Sequence, residues 1–339
     1  MKNLYLITDY RGTFYSDVTR ERVQKSSMDI SILTDLFKAK GFELIILSFV
    51  QVQELLGTLK GQYVIYQSSE DNGLIYKNHL DSLIYTLELA GAKLIPSYTL
   101  FKAHHNKVFM ELLRKLSNSQ DINRPEAKVY GTYEEFKDLK VTYPSVVKSS
   151  EGAGSKGVFL VKNKEEKDKV AKQISKIQGT IGRVIQVLKN FKYRNTEVKG
   201  HSLNRKEFLV QSFIPNLSGD YKVLIFDNKF YVLERSNRKN DFRASGSGIF
   251  NWPEKVPDEL LNYSQTVFSH FNCPIASLDI AFDGDKYYLI EFQFLSFGPL
   301  TLSGSDWYFT RKDNEWTRVD GQSDYHEELV NAVSNYINK

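Results

Sequence analysis

The chain has 339 residues, 41% apolar and 25% charged, with Lys+Arg 45 against Asp+Glu 41 and a net charge of +4. Such a composition suits two or three packed subdomains, and its charge balance is too mild to point to nucleic acid as a partner. The single cysteine, Cys273, excludes an internal disulfide; with no signal-peptide pattern and no apolar run near the roughly 18–20 residues of a membrane span, it points to the cytoplasm.

Leu4–Thr8 reads as a buried strand ending in the turn Asp9-Tyr10-Arg11-Gly12. Helical spacing over 27–40 puts Ile30, Leu33, Leu36 and Phe37 on one face, and Gly41 stops it. Strands follow at Glu43–Phe49 and Tyr63–Tyr66, then a helix over 76–90 closed by Gly91, then a strand from Lys93. This alternation predicts a small parallel sheet in residues 1–101. A helix over 104–117 leads to short strands at Val129-Tyr130, Ser145–Lys148 and Val158–Val161, and to a charged helix over 164–176. From Phe208 the chain turns strand-rich: Phe208–Phe213, Tyr221–Phe226, Phe230–Arg235, Ala276–Phe282 and Tyr287–Phe292. Asp227-Asn228 and Asp283-Gly284-Asp285 mark hairpin turns, and helices are predicted over 257–271 and 323–337. Residues 162–206 hold 13 Lys+Arg against 4 Asp+Glu, read first as solvated helices and second as a surface for a polyanion.

Three blocks carry chemistry. In the first, a strand delivers Lys148 into a loop with Ser150, Gly152, Gly154, Ser155 and Gly157. Glycines let backbone N–H groups approach phosphate oxygens, hydroxyls add donors, and the lysine supplies a point charge. The loop lacks the Walker and dinucleotide-binding spacings, and by itself equally suits a hairpin turn. In the second, Gln211, Ser212, Phe213 and Ile214 lead to Asp220 and Lys222. Apolar side chains there suit the faces of a flat base and Asp220 suits ribose hydroxyls, while a core strand and hairpin explain the run equally well. The third is Asp279, with Glu291 and Gln293 two residues apart and so on one strand face. Carboxylates inside apolar strands call for a cation, and magnesium favours one or two carboxylates completed by phosphate and water. Arg235, Arg238 and Arg243 offer positive charge for a moving phosphoryl group, Arg243 first and Arg235 second. Cys273, in Asn-Cys-Pro before an apolar strand, reads as a buried or turn cysteine rather than a nucleophile; His104 and His105 read as capping or surface residues.

In this order the blocks resemble the ATP-grasp superfamily, especially the branch of glutathione synthetase, D-alanine–D-alanine ligase and the ribosomal-protein glutamate ligases, over about Lys102 to Pro299. Asn106-Lys107 resembles the family's Asp-Lys at a helix start, Lys148 its second ATP lysine, Gln211–Ile214 its adenine linker, and Asp220 an acidic position near the ribose. Asp241-Phe-Arg243-Ala-Ser245 is similar to its Asp-Phe-Arg-x-Asn, and Asp279, Glu291 and Gln293 to its Asp…Glu-x-Asn metal ligands. Ser212, Lys222, Ser245 and Gln293 depart from the usual Glu, Arg, Asn and Asn, which marks a divergent branch.

The resemblance implies an α/β (α+β) chain with an ATP-grasp fold. Its parts are an N-terminal parallel α/β substrate domain (1–101), a central lid (102–210) and a C-terminal antiparallel-sheet subdomain with the metal site (211–339). It implies ATP and two Mg²⁺ ions as cofactors, and Arg243, Arg235 and Lys222 as catalytic residues. The reaction would join a carboxylate to an amine through an acyl phosphate, releasing ADP and phosphate. The segment from Glu291 to Leu302 resembles ATP-grasp proteins associated with bacterial surface polysaccharides, which suggests a small-molecule or glycan carboxylate as substrate. A kinase, a carboxylate–thiol ligase and an ATP-binding regulator without turnover stay open, as does a homodimer.

Overall fold

The computed structural model describes every residue except 19–23, 26, 72, 153–156, 178, 195–199 and 240. It divides into two units, Met1–His104 with Leu217–Lys339, and His105–Asn216.

The first unit contains a four-stranded parallel sheet in the order Phe42–Ser48, Lys2–Thr8, Tyr63–Tyr66, Lys93–Ile95. Its connecting helices are set by local chemistry. Asp29 caps Ile30–Ala39 by accepting from the Ser31 and Ile32 amides, and Ser48 and Gln51 form a reciprocal capping box for Phe49–Leu55. Gly41 and Gly91, both at φ +84°, end the helices before the next strands.

The larger sheet of this unit is antiparallel, in the order Tyr287–Gln293, Ile275–Phe282, Gly219–Phe226, Lys229–Ser236, Trp307–Lys312, Glu315–Asp320, with Phe250–Asn251 paired to Lys229–Ser236. Alternation along the strands gives it two different faces. Val223, Ile225, Leu278, Ile280, Leu289 and Phe292 are buried on one, where Phe271 of the helix Asp258–Phe271 lies 4.8 Å from Phe292, ring to ring. Leu224, Phe226, Tyr231 and Ile275 on the other share one core with the parallel sheet and the helix Tyr325–Asn338. Further along the strands that second face becomes polar.

The Trp307–Lys312 and Glu315–Asp320 hairpin was not among the expected strands. Its first strand has the aromatic run Trp307-Tyr308-Phe309 and its second only Trp316 and Val319 as apolar residues, yet Asp313 and Asn314 at φ +50° and +68° are the left-handed pair that tight hairpins favour.

The second unit is built on a four-stranded antiparallel sheet, Ala127–Tyr130, Phe208–Ser212, Ser145–Ser149, Val158–Val161. Phe136, Val147, Val161, Ala171, Phe208 and Val210 form its core. The helix expected over 104–117 runs Lys107–Leu116, because the Asn106 side chain accepts from the Phe109 amide and fixes the start. The basic stretch contains two helices, Lys164–Ile174 and Thr180–Lys192. One of its lysines is internal: Lys167 Nζ donates to the carbonyls of Lys137 and Leu139 at 2.9 and 3.2 Å and lies 4.6 Å from the Phe136 ring. Among the described residues no helix is long and apolar enough to cross a membrane.

Candidate functional site

The polar end of the larger sheet is a row of charges set by strand register. Asp279 stands opposite Glu291 on one side and Lys222 on the other, and Asp220 stands opposite Arg235. Directly opposed residues of antiparallel strands share a face, so three carboxylates and two cations meet there. A bulge between Asp279 and Ile280 keeps Glu291 in register, since Ile280 pairs with Leu289 and Ile290 is the extra residue. Gln293 lies on the same face opposite Ser277.

The charges are tightly coupled. Arg235 grips Asp220 through Nε and Nη2 at 2.6 and 2.9 Å, and its Nη2 also reaches Asp279 Oδ2 at 2.8 Å. Lys222 Nζ donates to Ser277 Oγ at 2.8 Å and to Asp279 Oδ1 at 3.4 Å. Side-chain exposure is only 8% for Arg235, 11% for Asp220 and 14% for Asp279. Burial favours the neutral form of both carboxyls, and the two respond oppositely. Asp220 is raised to about 6 by burial, which outweighs Arg235, with the neighbouring Asp279 adding to the rise. Asp279 also feels burial, but Arg235 and then Lys222 prevail and hold it down to about 2. Burial acts against the Arg235 guanidinium, and the two carboxylates overcome it and raise its pKa.

Asp279, Glu291 and Gln293 thus offer hard oxygen donors on adjacent strands, the chemistry that magnesium takes. Asp279 is low enough to be ionised at neutral pH, with its two oxygens bonded to Lys222 and Arg235, and Glu291 and Gln293 are half-buried beside it. Arg243 is held by Asp241, two residues away, through bonds of 2.8 and 2.9 Å that depress the Asp241 pKa. Arg238, on the same loop, is bonded to the Gly246 carbonyl.

The second unit holds the other predicted residues in two groups. Lys107 opens its helix with its amide on the Ser150 carbonyl at 2.9 Å and its Nζ on the Gly152 carbonyl at 2.6 Å. Ser150 Oγ lies 3.0 Å from Asn106 Oδ1 and 2.6 Å from Glu207 Oε1, which ties the helix start to the glycine loop. Gly152 and Gly157 have φ of +112° and +79°, and a Cβ on Gly157 would sit 2.1 Å from Ser149 Oγ. Gly154 and Ser155 lie outside the described residues. Gly157→Ala is expected to cost about 1–3 kcal/mol through strain and overlap, read as a lower unfolding midpoint; an unchanged midpoint contradicts this loop geometry.

The second group is internal. Lys148 is 8% exposed, and its charge acts on Glu111, whose pKa burial raises against the opposing pull of Arg114 and Lys148. Glu111 accepts from Gln211 Nε2 at 3.0 Å and pairs with Arg114 at 3.1 Å. Arg114 also donates to the Pro125 carbonyl at 2.6 Å. One donor of the Gln211 amide is therefore committed inside the unit. Beyond it Ser212 is exposed, Phe213 half-buried and Ile214 buried.

The sequence reading missed Glu111, Arg114, Glu207 and Ser277. Glu111 and Arg114, three apart on a helix whose Val108 and Met110 are buried, were the available signal. Cys273 is buried, with a thiol raised to about 12 by burial, as fits a structural cysteine. His104 and His105, expected at a cap or the surface, are 1% and 9% exposed; His104 is the C-cap of the helix Tyr98–Ala103, its amide donating to the Leu100 and Phe101 carbonyls at 3.2 and 3.1 Å.

No family model matches the chain, and no curated protein matches it. Its structure is similar to those of several solved proteins over nearly its whole length. One is the D-cycloserine synthetase DcsG, at TM-score 0.55 and 11% identity, covering 98% of this chain and 99% of that one. Another is the ATP-grasp ligase PsnB complexed with minimal precursor, Mg and ADP, at 0.53 and 12%, covering 99% and 98%. A third is a RimK domain ATP-grasp protein from Sphaerobacter thermophilus DSM 20745, at 0.50 and 12%, covering 99% and 100%. The chain has the ATP-grasp fold.

Proposed function

We propose that the chain is an Mg-ATP-dependent ligase that activates a carboxylate as an acyl phosphate and transfers the acyl group to an amine. The observation that carries this reading is the row Glu291, Asp279, Lys222, Asp220 and Arg235 on one face of a sheet in an ATP-grasp fold. DcsG is a synthetase by name and PsnB is a ligase complexed with Mg and ADP.

Asp279, Glu291 and Gln293 would hold magnesium, which when bound neutralises phosphate charge. Lys107, Lys148 and the loop around Gly152–Gly157 would bind phosphates, Gln211–Ile214 would line the adenine, and Asp220 would orient Arg235. Arg235, Arg243 and Lys222 would stabilise charge on the transferred group. In the first step a substrate carboxylate oxygen bonds to the γ-phosphorus, the bond to the bridging oxygen breaks, and ADP leaves with the electron pair. In the second an amine nitrogen attacks the acyl carbon, phosphate leaves with the C–O electrons, and the amine proton passes to solvent. The protein's part is positioning and charge neutralisation, without a side-chain nucleophile. We assign residues 1–101 to the substrate, 102–210 to the lid and 211–339 to the metal, in the cytoplasm. A glycan or amino-acid carboxylate is the proposed substrate class.

One observation favours a second reading, an ATP-binding protein without turnover: Asp279 is already paired with Arg235 and Lys222. Incubation with Mg-ATP and paired carboxylates and amines separates the readings. A ligase releases ADP and phosphate together, a kinase releases ADP without phosphate, and a binder releases neither.

Lys148→Ala is expected to weaken ATP binding about tenfold to a hundredfold, the loss of one charge-assisted phosphate contact. Titration calorimetry checks this, and unchanged affinity counts against the role of Lys148.

A further inference from the structure

The helix Thr180–Lys192 is mounted the wrong way round for a core helix. Ile181, Val184, Ile185, Leu188 and Phe191 recur at helical spacing on one side, and that side faces solvent. Ile181 is 78% exposed, and Leu188 and Phe191 are each 62% exposed. The opposite, polar side is the one held by the protein: Arg183, Gln186 and Asn190 are half-buried. Gln186 donates to Asn190 Oδ1 at 2.8 Å, and Asn190 Nδ2 donates to the His201 carbonyl at 3.0 Å. A Cβ on Gly200 would meet Asn190 Oδ1 at 2.2 Å, so the chain passes close beneath this polar side.

Charge identifies what covers the apolar side. Residues 169–196 contain seven Lys and Arg and no Asp or Glu. Lys189 and Lys192 are exposed on the same helix, with Lys192 Nζ 5.4 Å from the Tyr193 ring; basic side chains so placed can cover apolar surface with their stems and offer their ammonium groups to anions. At the start of the helix an open cleft of about 400 Å³ is lined by Lys176, Arg183, Lys206 and Gln173 together with Ile174 and Ile177. The Nε of Arg183 is shielded from solvent and meets no hydrogen-bond partner among the described residues. Lys206 also reaches Glu151 at 3.2 Å. A second copy of this face would set cation against cation, whereas an anionic surface satisfies both the apolar stripe and its basic border.

We infer that Thr180–Lys192 is an interfacial anchor that lays its apolar side on an anionic phospholipid surface, with a headgroup phosphate in the cleft at its N-terminus. The helix is too short to cross a bilayer, and its geometry is that of a segment lying in the headgroup plane. The inference does not depend on the ligase reading.

The test is flotation of the full chain with vesicles. Binding is expected to be at least about tenfold stronger to equal parts phosphatidylcholine and phosphatidylglycerol than to phosphatidylcholine alone, and to weaken with salt. Leu188→Glu with Phe191→Glu is expected to lower binding about a hundredfold, because both positions are exposed and a charge there opposes insertion. The unfolding midpoint and far-ultraviolet circular dichroism of that double variant, expected unchanged, show that it is folded. Equal binding to neutral vesicles, no binding to either, or full binding by the double variant overturns the inference. So does reversible dimerisation without vesicles that the same pair abolishes, which would give the face to a second copy.

Discussion

Glu291→Ala is expected to lower turnover by about 10²–10³-fold while leaving the fold intact. Glu291 sits opposite Asp279 at the polar end of a sheet whose other face carries the packing, through Leu278, Ile280, Leu289 and Phe292. Removing its carboxylate takes a hard ligand from the proposed cation site without cutting into that core. The unfolding midpoint is therefore expected to stay within a few degrees of the wild type, the range of substitutions away from core and buried pairs. Steady-state release of ADP, together with a thermal melt, checks both halves. Full activity would remove Glu291 from the metal site, and a collapsed fold would make it structural.

Arg235→Met is expected to destabilise the protein by about 3–5 kcal/mol at neutral pH, the range for leaving buried charges without their partner. One guanidinium serves both Asp220 and Asp279, which would then face each other with only Lys222 nearby. The pH dependence follows from the two carboxyls. Asp279 is lowered to about 2, so its stabilising contribution is present above the ordinary carboxylate range and is lost as pH falls toward 2. Asp220 is raised to about 6, so the folded state binds its proton more readily, and its contribution is lost as pH rises toward 6. In the variant both carboxyls rise, and protons take over the role of the arginine in acid. The gap between wild type and variant is therefore expected to narrow from pH 8 to pH 5 in denaturant titrations. A gap independent of pH would mean that Arg235 acts through packing alone.

Much of the architecture was readable because apolar periodicity and glycine stops are local signals. Gly41 and Gly91 end helices where expected, and Asp279 and Glu291 pair because each sits in an alternating strand. The hairpin at Trp307–Asp320 escaped because its apolar residues follow no strand period, three aromatics in a row in one strand and Trp316 and Val319 three apart in the other, on a half-exposed sheet edge. The chemistry was harder to see where it depends on partners far apart in the chain. That Arg235 joins Asp220 to Asp279, and that Gln211 turns inward to Glu111, follows from strand register and from a helix a hundred residues away. Arg243 was legible as an arginine but not as the partner of Asp241.

The most direct test of the ligase reading follows oxygen. A panel of carboxylates labelled with oxygen-18 is incubated with the protein, Mg-ATP and amines, and the released phosphate is examined by mass spectrometry. The acyl-phosphate route predicts ADP and phosphate in equal amounts, with one labelled oxygen carried from carboxylate to phosphate. Release of ADP and phosphate without transfer of label would contradict it.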